Sequence, residues 1–196
     1  MPAKTSTLPS FQPKTRAEWR EWLTKNYARS KGIHLILIKK GADIPGVMYD
    51  EAVEEALCFG WIDSSPAKLD AQRYKLYVSP RKARSVWSSL NKQRIRKLIK
   101  EGTMTPAGLA KIEAAKKDGS WNQLDAIDRL VMPEDLLEQL SANPEAKRNF
   151  ESFSTSSKKI ILFWIASAKR EETRQKRIEE TVRLAARNIK AAHYRQ

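Results

Sequence analysis

The residues best equipped for chemistry lie in the run Ser79-Pro80-Arg81-Lys82-Ala83-Arg84-Ser85-Val86-Trp87-Ser88-Ser89-Leu90-Asn91. Arg81, Lys82 and Arg84 stand just ahead of a predicted helix that Ser85 or Ser88 would cap and that runs to about Glu101. Open backbone N–H groups at a helix start, the positive end of its dipole, a serine hydroxyl and the guanidinium groups can converge on one anion, and phosphate is the natural one. Trp87 and Asn91 flank that point, and Arg73 and Lys75 approach it along the preceding segment. The candidate anion-binding residues are therefore Arg73, Lys75, Arg81, Lys82, Arg84, Ser85, Trp87, Ser88 and Asn91. The same run admits another arrangement, in which a serine caps the helix, Trp87 packs on a sheet and the arginines pair with acids such as Asp63.

Charge supports an anionic partner. Between Lys68 and Lys100 eleven Lys/Arg residues face one acid, Asp70, with Tyr74, Tyr77 and Trp87 interleaved, and this stretch holds most of the net +14 of the 196-residue chain. Such a concentration fits nucleic acid or another phosphate-bearing anion, and the aromatics can either stack on bases or fill a core. A basic stripe can also meet the acidic surface of a protein partner. A second candidate group lies in the apolar stripe of the last predicted helix, which the run AKREETRQKR interrupts. There Lys169, Thr173, Arg174 and Arg177 would face a wet cleft. With Asp63 as its polar centre and Arg81 and Arg84 as a clamp, that cleft could serve an enzyme acting on a small anionic substrate.

Other chemistries find little support. His34 lies inside an apolar strand and His193 near the end of the chain, neither with a Cys, Asp or Glu at ligand spacing, so no metal is expected. Cys58, the single cysteine, sits among Leu57, Phe59 and Trp61 and reads as a buried, unreactive thiol in a reducing compartment. The glycines are scattered with no phosphate-loop spacing, so no nucleotide cofactor is expected and no catalytic residue can be named. The apolar runs Ile33–Ile38 and Ile160–Ala166 fall far short of the ~20 residues of a membrane helix, so no membrane insertion and a cytoplasmic location are expected.

The elements that must position these side chains follow from pattern. Residues 1–14, with three prolines, read as a flexible lead-in. Residues 15–121 read as a basic α+β domain. Thr15 caps a helix carrying Trp19, Trp22 and Leu23, and Ile33–Ile38 is a buried strand. Tyr49–Leu57 is a helix stopped by Gly60, and Gly60–Ser65 and Arg73–Ser79 are strands joined by a loop through Pro66 and Asp70. The Ser-capped helix and a helix over Pro106–Lys117 complete it. From Asp118 to Ser157 eight acids face three bases. Residues 122–196 read as a helical region with helices over Glu134–Ser141 and Pro144–Phe150 and one long helix from Ser156 to past Ala186. The expected fold class is thus α+β: a small, mostly antiparallel sheet packed with helices, followed by an all-helical C-terminal region with a long terminal helix.

The blocks EEALCFGWIDS, LD…RY, SPRK..SVWS..NK, MTPAGL..IE.AK.DG.W, NPEAK..FE and WI..AKREETRQKRI together resemble the bacterial YdeI/OmpD-associated, or bacteriocin-protection, proteins across about residues 17–187. The resemblance implies envelope association and resistance to cationic peptides. It carries no catalytic residues onto this chain.

Overall fold

The computed structural model describes residues 9–192. His193 and residues 1–8 of the expected lead-in lie outside that range. The chain forms two compact units, Met1–Asn122 and Gln123–Gln196, each with its own apolar core.

The first unit is built on four strands, β1 (Ser10–Phe11), β2 (Ile33–Ile38), β3 (Trp61–Lys68) and β4 (Arg73–Pro80), in the order β1-β2-β4-β3. β1 runs parallel to β2 and the other pairings are antiparallel. β2 alternates in the period of two that one buried face demands, with Ile33, Leu35 and Leu37 inward. Register places Leu76 and Val78 of β4 beside Leu35 and Ile33, so one sheet face becomes the floor of the core. Over that floor lie α1 (Arg16–Asn26), through Trp19 and Leu23, and α2 (Tyr49–Cys58), through Ala52, Val53, Ala56 and Leu57. The Trp19 indole N–H donates to the Ala52 carbonyl at 3.0 Å, tying the two helices together. α3 (Ser89–Lys100) contributes Ile95 and Leu98, and α4 (Pro106–Lys117) Ile112 and Ala115.

Two expectations change here. The flexible lead-in was to reach Thr15, yet Ser10 and Phe11 add a strand to β2. Phe11 packs 6.1 Å from Trp22 and 6.4 Å from Trp19, so it buries apolar surface that a free tail would expose. β3 also runs beyond Ser65, through Pro66 to Lys68, with an irregularity between Asp63 and Pro66. It is the sheet's edge strand, where a residue without an N–H interrupts no ladder.

The second unit is helical: α5 (Asp125–Asp128), α6 (Glu134–Ser141), α7 (Pro144–Ser152), α8 (Thr155–Ala166) and α9 (Glu171–Ala185). Leu136, Leu140, Phe150, Ile161, Ile165, Ile178 and Ala185 form its core. The expected single helix from Ser156 to past Ala186 is two. α8 ends at Ser167, Arg170 takes an extended conformation, and α9 restarts with Glu171 and Glu172 in its first turn, where carboxylates favour the helix dipole. The charged run therefore spans a helix junction at residues 168–170 and the first turns of α9, rather than a polar gap along one helix. The fold class is α+β, and among the described residues no helix is long and apolar enough to cross a membrane.

Candidate anion-binding site

The segment after β4 carries the site. Arg81 donates its backbone N–H to the Gly60 carbonyl at 3.0 Å, which fixes where its side chain begins. That side chain is buried, and its guanidinium lies 3.6 Å from the centre of the Trp87 ring. Nη1 donates to the Val86 carbonyl at 2.9 Å, while Nε and Nη2 have no partner. Burial lowers the Arg81 pKa to about 10, with Asp63 pulling the other way, so the group is a cation at neutral pH. Trp87 packs on Trp121 at 5.1 Å, and the buried Lys92 lies over Trp121.

Of the two serines that could cap the helix, one does so. Ser88 is the cap, accepting from the Asn91 N–H at 3.3 Å, and α3 begins at Ser89. Ser85 instead donates its hydroxyl to the Lys82 carbonyl inside a loop. Residues 85–88 are not helical, and the loop turns at Arg84, whose φ of 58° is left-handed. The Arg84 N–H donates to Asp118 at 3.3 Å. Asn91 accepts from Arg94 at 3.0 Å.

α4 is brought against this loop by two glycines. A Cβ on Gly108 would lie 2.3 Å from the Cys58 carbonyl oxygen, and one on Gly60 would lie 2.6 Å from Lys111. Their absence lets α4 seat on the Cys58–Gly60 turn, where the Thr105 hydroxyl also donates to Cys58 at 2.6 Å. A pocket of about 90 Å³ results, lined by residues 81–85 and Trp87 from the loop and by Lys111, Ala114, Ala115, Asp118 and Ser120 from the end of α4. Lys111 and Ser120 belong to no sequence motif read above, and Asp118 stands there in the block MTPAGL..IE.AK.DG.W, with no role assigned to it. Asp-Gly-Ser after a helix reads as a turn, and nothing local marks its serine as buried.

The remaining candidates are dispersed. Arg73 is salt-bridged to Asp70 and also donates to Gln12 at 2.8 Å, beside a broad open groove. Lys75 lies on the outer sheet face opposite Ile36 and Ala67. Asp63 accepts from the Tyr49 hydroxyl at 2.8 Å and does not line the pocket. Burial and that bond push the Tyr49 phenol up to about 12. Lys169, Thr173, Arg174 and Arg177 belong to the second unit. There Arg174 holds Asp135 through two bonds of 2.7 and 2.8 Å, and Arg177 donates to the last-turn carbonyl of Trp164 and to Ser167, closing the end of α8. Thr173 is half-buried and Lys169 exposed.

A buried acidic pair escaped the motif reading. Glu54 and Glu55 of α2 look like the polar side of an amphipathic helix, yet both are buried. Glu55 accepts from Arg16 at 2.6 Å and Arg20 at 2.7 Å, and Glu54 from Arg16 at 2.9 Å and Lys97 at 2.8 Å. Burial alone would raise Glu54; the bonds from Lys97 and Arg16 outweigh it and hold its pKa below the usual value. The neighbouring Cys58 is buried and its thiol pushed up by that burial. Among the described residues no group of three or more His, Cys, Asp or Glu could hold a metal ion.

Residues 11–111 match a family described as a domain of unknown function (DUF8412), and residues 129–188 match the family described as bacteriocin-protection, YdeI or OmpD-associated. Each match falls within one structural unit, so the resemblance read across residues 17–187 divides at the unit boundary. No curated protein and no solved structure matches the chain. The chain therefore belongs to the DUF8412 domain family, and its C-terminal unit carries a domain that matches the bacteriocin-protection, YdeI or OmpD-associated family.

Proposed function

We propose that the N-terminal unit is a non-catalytic binder of phosphate-rich ligands, with single-stranded nucleic acid favoured, through the outer face of its sheet. The observation that carries this reading is what that face presents. α1 and α2 occupy the opposite side, and the outer side holds His34, Ile36, Arg73, Lys75 and Tyr77 in register, all partly exposed. The His34 and Tyr77 rings stand 5.6 Å apart, side by side on adjacent strands. Such rings can stack on bases while flanking cations take the phosphates.

Not every basic residue of the stripe is available. Arg73, Arg94 and Lys97 face Asp70, Asp50 and Glu54, while Arg81 and Lys92 are buried. Lys68 is in register with Tyr74 on the other side of the sheet and Arg96 and Lys100 lie on α3, so Lys75 on the face and Lys82 and Arg84 in the loop after β4 remain, which limits phosphate contacts to about three and the single-strand salt slope to roughly −2. Fluorescence anisotropy of a labelled oligonucleotide across a salt series measures that slope. A slope near zero, or no binding at low salt, refutes the reading.

A further inference from the structure

The pocket between the Arg81 loop and the end of α4 holds two buried polar groups that the fold leaves without partners. Arg81 is 2% exposed, and its Nε and Nη2 make no hydrogen bond. These two nitrogens form one edge of the guanidinium, and their N–H bonds run nearly parallel. That edge grips two oxygens of one carboxylate or phosphate at once. Nη1, on the other side, is already committed to the Val86 carbonyl. The second group is the Ser120 hydroxyl, on a residue 4% exposed; it lies close enough to Asp118 to help hold that carboxylate below its usual pKa, yet it makes no hydrogen bond of ordinary geometry.

The surroundings select the ligand. Lys82, Arg84 and Lys111 join Arg81 in the lining, against one carboxylate, Asp118. Asp118 is turned to the backbone, accepting from the Arg84 N–H at 3.3 Å and the Ser120 N–H at 2.9 Å. At about 90 Å³ the pocket exceeds a water's share of ~30 Å³ and falls well short of the ~300–1,000 Å³ that encloses a whole small molecule. It has room for one tetrahedral oxyanion. Asp63 acts on Arg81 only through space, and a buried cation bonded to no carboxylate is costly to the fold unless a counter-charge arrives.

We propose that this pocket binds a terminal phosphate group, two of its oxygens on the Arg81 Nε/Nη2 edge and a third on the Ser120 hydroxyl, its charge facing Lys82, Arg84 and Lys111. A phosphodiester, which must leave the site in two directions, fits a pocket of this size poorly; a monoester or free phosphate leaves in one or none. The inference rests on the buried Arg81 and Ser120, away from the outer sheet face; it shares Lys82 and Arg84 with the strand-binding reading, and Ser120→Ala, which touches neither, keeps the two tests apart.

The test is calorimetric titration of the full chain with inorganic phosphate, methyl phosphate and dimethyl phosphate at matched ionic strength. Inorganic and methyl phosphate should bind and dimethyl phosphate should not. Ser120→Ala, which removes one bond to a charged group, should weaken binding about tenfold. Arg81→Lys, with circular dichroism confirming the fold, should weaken it about a hundredfold by removing the paired edge. Equal binding of mono- and diester, affinity unchanged in Ser120→Ala, or no phosphate binding overturns the proposal. Two octanucleotides, one with a 5′-phosphate and one with a 5′-hydroxyl, separate the sources. A preference for the phosphorylated strand that Ser120→Ala removes assigns the site to strand ends, whereas Ser120-dependent binding of inorganic phosphate with no such preference assigns it to free phosphate. Binding of the 5′-hydroxyl strand reports on the sheet face alone.

Discussion

The Arg16–Arg20–Glu54–Glu55 cluster makes a directional prediction about which partner matters. The Glu55 side chain is 4% exposed, whereas those of Arg16 and Arg20 are 35% and 36% exposed. Removing the arginines with Arg16→Met and Arg20→Met keeps their apolar stems but strands a buried carboxylate, for which about 3–5 kcal/mol is expected. Glu55→Gln removes the acid but strands guanidinium groups that water already reaches. Two charge-assisted bonds are lost there, and partial hydration of what remains limits the cost to about 1–2 kcal/mol. Adding Glu55→Gln to the double arginine variant should therefore recover much of the loss, because no buried charge is left alone. Urea unfolding followed by tryptophan fluorescence, with Trp19 tied to Ala52 in this unit, measures all three variants. If Glu55→Gln costs as much as the double arginine variant, or the combination is simply additive, burial does not set the balance and the reasoning fails.

Two further outcomes follow from the same geometry. Gly108→Ala places a methyl group 2.3 Å from the Cys58 carbonyl, backbone that cannot swing aside, so about 2–3 kcal/mol of stability should be lost in thermal unfolding. Gly41→Ala, with nothing near its Cβ but a φ of 85°, should cost only about 1 kcal/mol, and equal losses would remove the argument for a close helix–turn contact. Glu54 is held below its ordinary pKa of 4.5 and Asp135 below 3.8, Asp135 through its bonds from Arg174. Each therefore contributes stability that is full above those values and lost as pH falls through the lower folded-state ones. Denaturant midpoints should hold steady down to about pH 5 and fall below it, with Glu54→Gln flattening the fall; an unchanged profile in that variant would contradict the assignment.

What could be read from the sequence was what its local signals encode. β2 alternates, α4 opens on Pro106 and α6 begins after a proline, and each lies where its pattern placed it. β1 was hidden because two residues carry no periodicity and owe their strand to a partner over twenty residues away. The α8–α9 junction was hidden because the apolar period of Ile160–Ile165 continues in phase into Ile178 and Val182, and only the extended Arg170 breaks it. At the site, Arg81 was legible from a dense basic run before a capped helix. Ser85 and Ser88 made equally good caps on paper, and residues 85–88 take no helical conformation, which leaves the cap to Ser88. Ser120 was not legible. Its place beside Arg81 depends on a close approach that Gly60 and Gly108 permit, far from either residue in sequence.

The claim that the N-terminal unit binds phosphate-rich strands is tested most directly by comparing salt slopes at equal net charge. One variant carries Lys75→Ala, Lys82→Ala and Arg84→Ala; its control carries Lys176→Ala, Arg183→Ala and Arg187→Ala in the second unit. With a 5′-hydroxyl octanucleotide, the first should flatten the log–log slope by about two, three lost contacts at about 0.7 each, while the control keeps the wild-type slope. Equal flattening in both variants would reduce the interaction to net charge, and no change in the first would contradict the account.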